Sequence, residues 1–581
     1  MKSIVERLKN DILVFDGAIG TELQKEGLEV GEAPELWNIK NGDKLKEIHR
    51  RYAESGSDII QTNTFGANRI KLSEYNLDKE VERINKIAVK LVKEATRKYN
   101  NYVSASIGPT GKLIEPIGKF SFTEAKNIFS EQAKFLADAG VDLFTIETIS
   151  DIQEARAAVI GIKEVSDLPI LCSMTYEENA KTVSGTDAKT AATVLEALGV
   201  DIIGINCSIG PRGMIKVLED LREATNLAIS FKPNAGMPKI DELGNTIYPA
   251  DADYMANYVE KAVESGANIV GGCCGTGPEY IKKVRKIVEK KSVIKRKKEF
   301  SSRLASRTKV LNIDKSLPTK IIGEKINPSG NDELAEEMKK YKTGILSKLA
   351  YEQKEAGADI IDINVGIPEI DQQKLLKKAI FAVHNKCDIA VSIDTDNYEA
   401  MKKALEIYPG KALANSVTAE NKSLEKILPL IKKYGASVIA LTLTEDGIPE
   451  DAEKRFEAAE NILKKAEEFS IDKNNIFIDT LALTAGSSQK QIKESLKAIK
   501  LINEKLSLNT VLGISNVSYG LPARGLINST FLAMALEAGL TLPILNPFDK
   551  KMMDTIRTSD LLLGRDENAE NFIKIYNKGG F

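Results

Sequence analysis

This sequence predicts an α/β fold of two (β/α)8 barrels in tandem, on three observations. Over the first 290 residues, a short apolar run ending in a polar or glycine-rich cluster recurs eight times. Residues 319–581 repeat the scheme eight more times. A charged stretch that breaks the pattern separates the two series. Strands alternating with helices imply a parallel sheet, and eight such units imply its closure into a barrel.

The 581 residues, 43% of them hydrophobic, suffice for two large cores. A net charge of −2 gives no reason to invoke a nucleic acid or a charged membrane surface. Met1 to Asn10 alternate charged and apolar residues, with no signal-peptide apolar core. No apolar run approaches the ~18 residues of a membrane span. Five cysteines, an odd number, fit a reducing compartment better than a disulfide framework, so a cytoplasmic location is expected. His49 and His384 are the two histidines, which excludes any mechanism needing several imidazoles.

In the first series (residues 1–290), the run ends are Phe15-Asp16-Gly17, Gln61-Thr62-Asn63-Thr64, Ser106-Ile107-Gly108-Pro109 and Thr145-Ile146-Glu147-Thr148. Ser173-Met174-Thr175-Tyr176, Asn206-Cys207-Ser208, Lys232-Pro233-Asn234 and Gly272-Cys273-Cys274 complete the eight. Helical patterns lie between them. In Ala125 to Ala139, apolar residues recur mostly at spacings of three and four. Residues just past barrel strand ends face the active site, and the polar clusters fall there. Residues 291–318, which begin within a basic run from Lys290 to Lys298, read as a solvated linker.

The second series (residues 319–581) ends its runs at Gly323-Glu324-Lys325-Ile326-Asn327-Pro328, Asp362-Ile363-Asn364, Ser392-Ile393-Asp394 and Ala414-Asn415-Ser416. Leu443-Thr444-Glu445-Asp446, Ile478-Asp479-Thr480, Gly513-Ile514-Ser515-Asn516 and Leu545-Asn546-Pro547 follow. These ends carry carboxylates and amides where the first series carries cysteines. The final residues, Asn577 to Phe581, read as a frayed end.

Cys207, Cys273 and Cys274 stand at the ends of strands six and eight of the first series. Adjacent side chains on a regular strand point to opposite faces, so Cys273 and Cys274 converge only if the backbone bends. The glycines around them allow that bend. Three converging thiols suggest a soft metal ion, most plausibly zinc, with a fourth position for substrate. Packing of buried cysteines, or a disulfide between neighbours, would also account for them. Cys172 and Cys387 read as packing residues.

Asp16-Gly17-Ala18-Ile19-Gly20-Thr21-Glu22, Thr62-Asn63-Thr64-Phe65-Gly66-Ala67, Gly204-Ile205-Asn206-Cys207, Pro233-Asn234-Ala235-Gly236 and Gly271-Gly272-Cys273-Cys274-Gly275 together resemble the homocysteine S-methyltransferase family. The resemblance implies zinc held by Cys207, Cys273 and Cys274, with the homocysteine sulfur as fourth ligand. It implies that Asp16 and Glu147 hold the substrate ammonium. Amides near Gly17 and Ala18 would hold its carboxylate, with Asn234 also at the substrate.

In the second series, Asn327, Asn364, Asp394, Asn415, Asp479 and Asn516 lie on different strand ends. Such a cluster could bind a hard metal through oxygen, or hydrogen-bond a flat nitrogen heterocycle. No phosphate-binding glycine loop ending in Gly-Lys-Ser/Thr appears; Gly108-Pro109-Thr110-Gly111-Lys112 has the wrong spacing. Gly323 to Gly330, Asp362-Ile363-Asn364, Ser392-Ile393-Asp394, Asn415-Ser416 and Gly513 to Arg524 resemble the pterin-binding methyltransferase family, with Lys325 where arginine is expected. The resemblance implies that Asp394 and Asp479 bind the pterin edge of methyltetrahydrofolate, assisted by Asn415. Asn516 would hydrogen-bond near the methyl-bearing nitrogen, and Glu324, Asn327 and Arg524 would shape the site.

The two modules in this order resemble the amino-terminal half of the cobalamin-dependent methionine synthase family. The implied chemistry is methyl transfer from methyltetrahydrofolate to cob(I)alamin, then from methylcobalamin to homocysteine. The family's cobalamin motif, Asp-x-His-x-x-Gly, fits around neither His49 nor His384. Cobalamin would therefore come on another domain or chain, such as a separate corrinoid protein. A cobalamin-independent homocysteine methyltransferase using an onium donor, and a non-catalytic folate- and metal-binding module, are the competing readings.

Overall fold

The computed structural model describes residues 2–207, 209–237, 239–240 and 246–577. Ser208 and Lys578 to Phe581, named above, lie outside them. The chain forms two compact units, Met1–Lys298 and Glu299–Phe581.

In the first unit, eight parallel strands form one sheet: β1 (Leu13–Val14), β2 (Ile59–Gln61), β3 (Tyr102–Ile107), β4 (Leu143–Ile149), β5 (Ile170–Met174), β6 (Ile202–Cys207), β7 (Ala228–Pro233) and β10 (Ile269–Val270). A bridge between Phe15 and Ile59 joins its two edges and closes the barrel. A short antiparallel pair, β8 (Lys239–Ile240) and β9 (Thr246–Ile247), lies in the connection after β7. Strands covered on both faces read as continuous apolar runs, and all six residues of β3 are buried. The helix expected from Ala125 starts earlier, at Phe122. Ser121 caps it, and Glu124 returns the bond to the Ser121 backbone. Its buried Phe122, Ala125, Phe129, Ala133 and Leu136 give the apolar stripe.

The short helix Ile4–Arg7 and Leu8 cover the far end of this barrel. Ile4 and Leu8 cluster with Leu13, Ile59, Tyr102, Leu143, Ile202 and Ile269, each the first residue of its strand.

The second unit is a closed barrel of β13 (Ile322–Ile326), β14 (Ile360–Asn364), β15 (Ala390–Asp394), β16 (Leu413–Thr418), β17 (Ser437–Leu441), β18 (Ile476–Asp479), β19 (Asn509–Gly513) and β20 (Leu542–Leu545). Ile322 of β13 pairs with Ile544 of β20 to complete the ring. The predicted tandem of eight-stranded barrels is therefore the observed fold.

The stretch 291–318 departs from the expectation of a solvated linker. Lys291 pairs with Glu260 and Glu264, both at 2.8 Å. Arg296 donates to Gly266 O and Asn268 Oδ1, which ties the basic run to the first unit. Further on, β11 (Ser302–Ala305) and β12 (Val310–Ile313) form an antiparallel hairpin on the second unit. Its Leu304 and Ile313 cluster with Ile322, Ile360, Ala390, Leu413 and Leu542 at the strand starts. The apolar residues of so short a hairpin are buried by the barrel, not by each other, so no long periodic pattern marks it.

Candidate functional site

In the first unit the three thiols converge. The Sγ atoms of Cys207, Cys273 and Cys274 lie within 4.8 Å of one another. The backbone devices that aim them are local. Cys207 ends β6 at φ 63°, and Gly275 turns the chain after Cys274 at φ 81°. Gly272 must lack a side chain, because a Cβ there would sit 2.1 Å from Thr276 Oγ1. The Cys273 N–H bonds to Pro233 O at 2.9 Å, which pins the cysteine turn to β7.

This donor set fits a zinc ion. At Zn–S distances of about 2.3 Å, a tetrahedron needs sulfurs roughly 3.8 Å apart, inside the 4.8 Å within which these three lie. Contact with Cys207 is the main influence pushing both the Cys273 and Cys274 thiols up, so three thiolates together demand a cation. No cysteine is in a disulfide, the neighbouring pair included. Cys172 and Cys387 are buried.

Two asparagines hold the sulfurs. Asn206 Nδ2 reaches Cys273 Sγ at 3.8 Å and bonds Thr148 Oγ1 at 2.8 Å. Asn234 Nδ2 donates to Cys207 Sγ at 3.5 Å, and its Oδ1 accepts the Cys274 N–H at 3.1 Å. This corrects the expectation for Asn234. Both ends of its amide serve the cysteines, and it is absent from the cavity wall.

That cavity, of about 270 Å³, is lined by Gly17 to Thr21, Gln61, Glu147, Lys232 and the three cysteines, among others. Both oxygens of Glu147 are held at the cavity base. Its Oε1 accepts from Gln61 Nε2 and from Ser106 Oγ, the latter at 2.7 Å, and its Oε2 accepts from Lys232 Nζ at 2.8 Å. Lys232 also donates to Gln61 Oε1 at 3.1 Å and lies 4.0 Å from the Phe15 ring centre. Asp16, expected at the substrate ammonium, is fully buried and does not itself line the cavity. Its Oδ2 accepts the Gln61 N–H at 2.8 Å, while Oδ1 has no partner. Burial pushes its carboxyl up to about 7. In the sequence Lys232 stands only within a run end; nothing local marks a lysine as buried.

Ala18 also differs from its expected role. Its N–H donates to Thr276 O at 3.0 Å, and Tyr52 Oη donates to the carbonyls of both residues. Gly17 permits this contact, since a Cβ there would lie 2.7 Å from Thr276 O. The donors left open in this stretch are the first-turn N–H groups of the helix Ile19–Lys25, which has no side-chain cap.

In the second unit, a cavity of about 370 Å³ is lined by Glu324, Asn327, Asp362, Asp394, Asn415, Asp479, Ser515 and Asn516 among others. Asp479 is buried and its Oδ1 accepts the Leu481 N–H at 2.7 Å. Burial pushes it up to about 7 against the opposing pull of Arg455. Asp394 Oδ2 accepts from Asn364 Nδ2 at 2.8 Å. Burial also raises Glu324, which accepts from Ser515 Oγ at 3.4 Å. Asn327 Oδ1 is taken by the Ser329 N–H at 2.9 Å. Asn516 sits exposed on the 3-10 turn Ile514–Ser518. Arg524 does not line the cavity. Its guanidinium bonds Ser518 Oγ and Ser515 O, both at 3.0 Å, and so braces the turn that presents Asn516. Asp362, which the sequence marks only as part of a motif, proves to be a buried member of the wall.

The homocysteine S-methyltransferase family model matches residues 13–288, and the pterin binding enzyme model matches residues 323–546. Each model covers most of one unit, so the first unit is similar to homocysteine S-methyltransferases and the second to pterin binding enzymes. The chain is similar to the methionine synthases of Mycobacterium tuberculosis and Mycobacterium leprae, each 29% identical over 92% of this chain. The chain spans about half the length of these curated relatives, 47% in each case. Among solved structures it resembles the metallated form of the homocysteine methyltransferase MmuM from Escherichia coli. That match has a TM-score of 0.42 and 24% identity, covering 48% of this chain and 96% of that one. No helix among the described residues is long and apolar enough to cross a membrane.

Proposed function

We propose that this chain supplies two half-sites of methionine synthesis, working in the cytoplasm. The first unit binds homocysteine beside a zinc ion held by Cys207, Cys273 and Cys274. The second binds 5-methyltetrahydrofolate. The methyl group passes from methyltetrahydrofolate to cob(I)alamin, then from methylcobalamin to homocysteine, giving tetrahydrofolate and methionine. The cobalamin is carried on another domain or chain. The observation that carries the reading is the convergence of three thiols in one cavity wall with Glu147 and the open amides of the Gly17–Thr21 stretch.

Zinc, when bound, lowers the pKa of a thiol in its fourth position and makes it nucleophilic at neutral pH. The protein's own groups orient the substrate. A zwitterionic amino acid needs a carboxylate for its ammonium, which Glu147 in the cavity wall provides, with the buried Asp16 carboxyl behind the wall as a second acceptor. Its carboxylate needs N–H donors, which the Gly17–Thr21 backbone provides. In the second unit, Asp394, Asp479 and Asn415 take the donor-rich pterin edge. Asn516 hydrogen-bonds the protonated methyl-bearing nitrogen, a poor leaving group without that proton.

The test is an omission series with zinc, methyltetrahydrofolate, reduced cobalamin and homocysteine. Tetrahydrofolate should form without homocysteine, and methionine should form from methylcobalamin without folate. Methionine formation from an onium donor alone, with no cobalamin requirement, would overturn the reading.

A further inference from the structure

The Arg455 side chain is wholly buried, at 0% exposure, and among the described residues it is in no ion pair. It stands on the helix Ala452–Glu468, which follows β17. Its Nε donates to Pro449 O at 2.9 Å, in the connection before that helix. Its Nη1 donates to Thr480 O at 2.8 Å and to Leu481 O at 3.0 Å, the two residues directly after Asp479. Its Nη2 donates to Gln491 Oε1, on the helix Gln489–Lys505. The Gln491 Nε2 reaches back to Glu450 O at 2.9 Å. One guanidinium thus ties the connections after β17 and β18 to each other.

What the clamp fixes is Leu481. Its φ is 60°, a left-handed conformation that is costly for a residue with a Cβ and persists only where the surroundings enforce it. That turn aims the Leu481 N–H back at Asp479 Oδ1, at 2.7 Å. With the carbonyls of Thr480 and Leu481 both held, the turn stays closed. The Leu481 bond sets the rotation of the Asp479 carboxylate and leaves Oδ2 for a ligand in the cavity that Asp479 lines. Burying a cation away from any carboxylate is costly. A neutral side chain could fill the volume, but none offers a planar fork of five donors that reaches three carbonyls at once. Of the acids around Arg455, Glu494 is taken by Lys497 at 3.0 Å and Asp451 caps the helix, which leaves Asp479.

We infer that Arg455 is a positioning residue for Asp479: by clamping the Thr480 and Leu481 carbonyls it keeps the Leu481 N–H on Oδ1, and so aims the carboxylate at the donor edge of the pterin. The inference rests on the folate reading of the second unit. It adds to that reading a residue outside the cavity wall on which the grip of the wall depends.

The test is a double-mutant cycle on the full chain, read as calorimetric affinity for 5-methyltetrahydrofolate at about pH 8, above the range to which burial raises Asp479. Asp479→Ala should weaken binding ~10- to 100-fold, and Arg455→Met about 10-fold. Acting through Asp479, Arg455 has nothing left to position once that carboxylate is gone. The double variant should therefore bind within ~3-fold of Asp479→Ala alone. Losses that multiply would make Arg455 a general support of the barrel and overturn the inference. An Arg455→Met affinity within ~3-fold of wild type would overturn it too. Arg455→Lys keeps the charge but not the fork; should Arg455→Met fail to fold, it enters the same cycle under the same criteria.

Hydrogen exchange of the ligand-free chain, followed by mass spectrometry over residues 479–484, needs no folate. The Leu481 amide should be protected in the wild type and exchange at least ~10-fold faster in the Arg455 variant, with zinc content unchanged. Equal exchange in the two overturns the inference. A wild-type chain that binds no methylfolate, yet shows the exchange difference, would refute the folate reading and leave the clamp on Asp479 standing.

Discussion

Lys232→Met isolates the worth of the charge pair at the base of the first cavity. The side chains of Lys232 and Glu147 are 2% and 7% exposed and meet at 2.8 Å. Methionine keeps much of the lysine stem and deletes the charge. Glu147 then retains Gln61 and Ser106 as donors but has no counter-charge. Removing one partner of a buried pair costs about 3–5 kcal/mol. Two neutral donors remain here, so the lower end, about 3 kcal/mol, is the expected loss. The double variant Lys232→Met/Glu147→Gln buries no uncompensated charge and should recover about 2 kcal/mol of it. Urea unfolding followed by tryptophan fluorescence reads this directly. The single tryptophan, Trp37, is buried in the first unit, so its signal reports that unit alone. A loss below about 1 kcal/mol, the range of exposed pairs, would show that the pair does not hold the carboxylate. A double variant no more stable than the single one would refute the charge argument itself.

Cys273→Ser is expected to lower bound zinc, measured by atomic absorption, and to abolish methylation of homocysteine while tetrahydrofolate formation persists. Asn206→Ala, which removes a group touching Cys273 Sγ, should weaken zinc by ~10- to 100-fold in a chelator competition. Asn516→Ala should slow tetrahydrofolate formation by ~10²-fold and leave zinc content unchanged. Burial pushes the Asp479 carboxyl up to about 7, and on the proposed folate reading it accepts the pterin donors in its ionised form. Protonation below that value therefore removes the acceptor, and methylfolate affinity should fall about tenfold per pH unit on the acid side. Affinity that stayed flat down to pH ~5 would remove Asp479 from the ligand contacts.

The barrels were legible because every strand of a parallel barrel is covered on both faces and ends at the functional rim. Apolar runs and polar ends thus recur in the same order, from Phe15 to Cys274 and again from Gly323 to Asn546. The thiol cluster was legible because adjacent cysteines between glycines, with a third at another strand end, suit a shared soft metal better than apolar packing. Lys232 was not, because lysine is ordinarily exposed, and its burial depends on Glu147, Gln61 and Phe15 from three other strand regions. The Ala18 amide escaped for a similar reason: its acceptor, Thr276, lies at the opposite end of the first unit's sequence. The hairpin Ser302–Ile313 escaped because its two apolar anchors bury against another element, which no local period records.

The helix Ile4–Arg7 and the hairpin β11–β12 each stopper the base of the barrel that follows them. The interior of such a barrel is already filled by its own side chains, so these covers open and close no passage; they keep water off the apolar strand starts. Removing residues 299–318 would wet that end of the second barrel while leaving every residue of its rim in the chain.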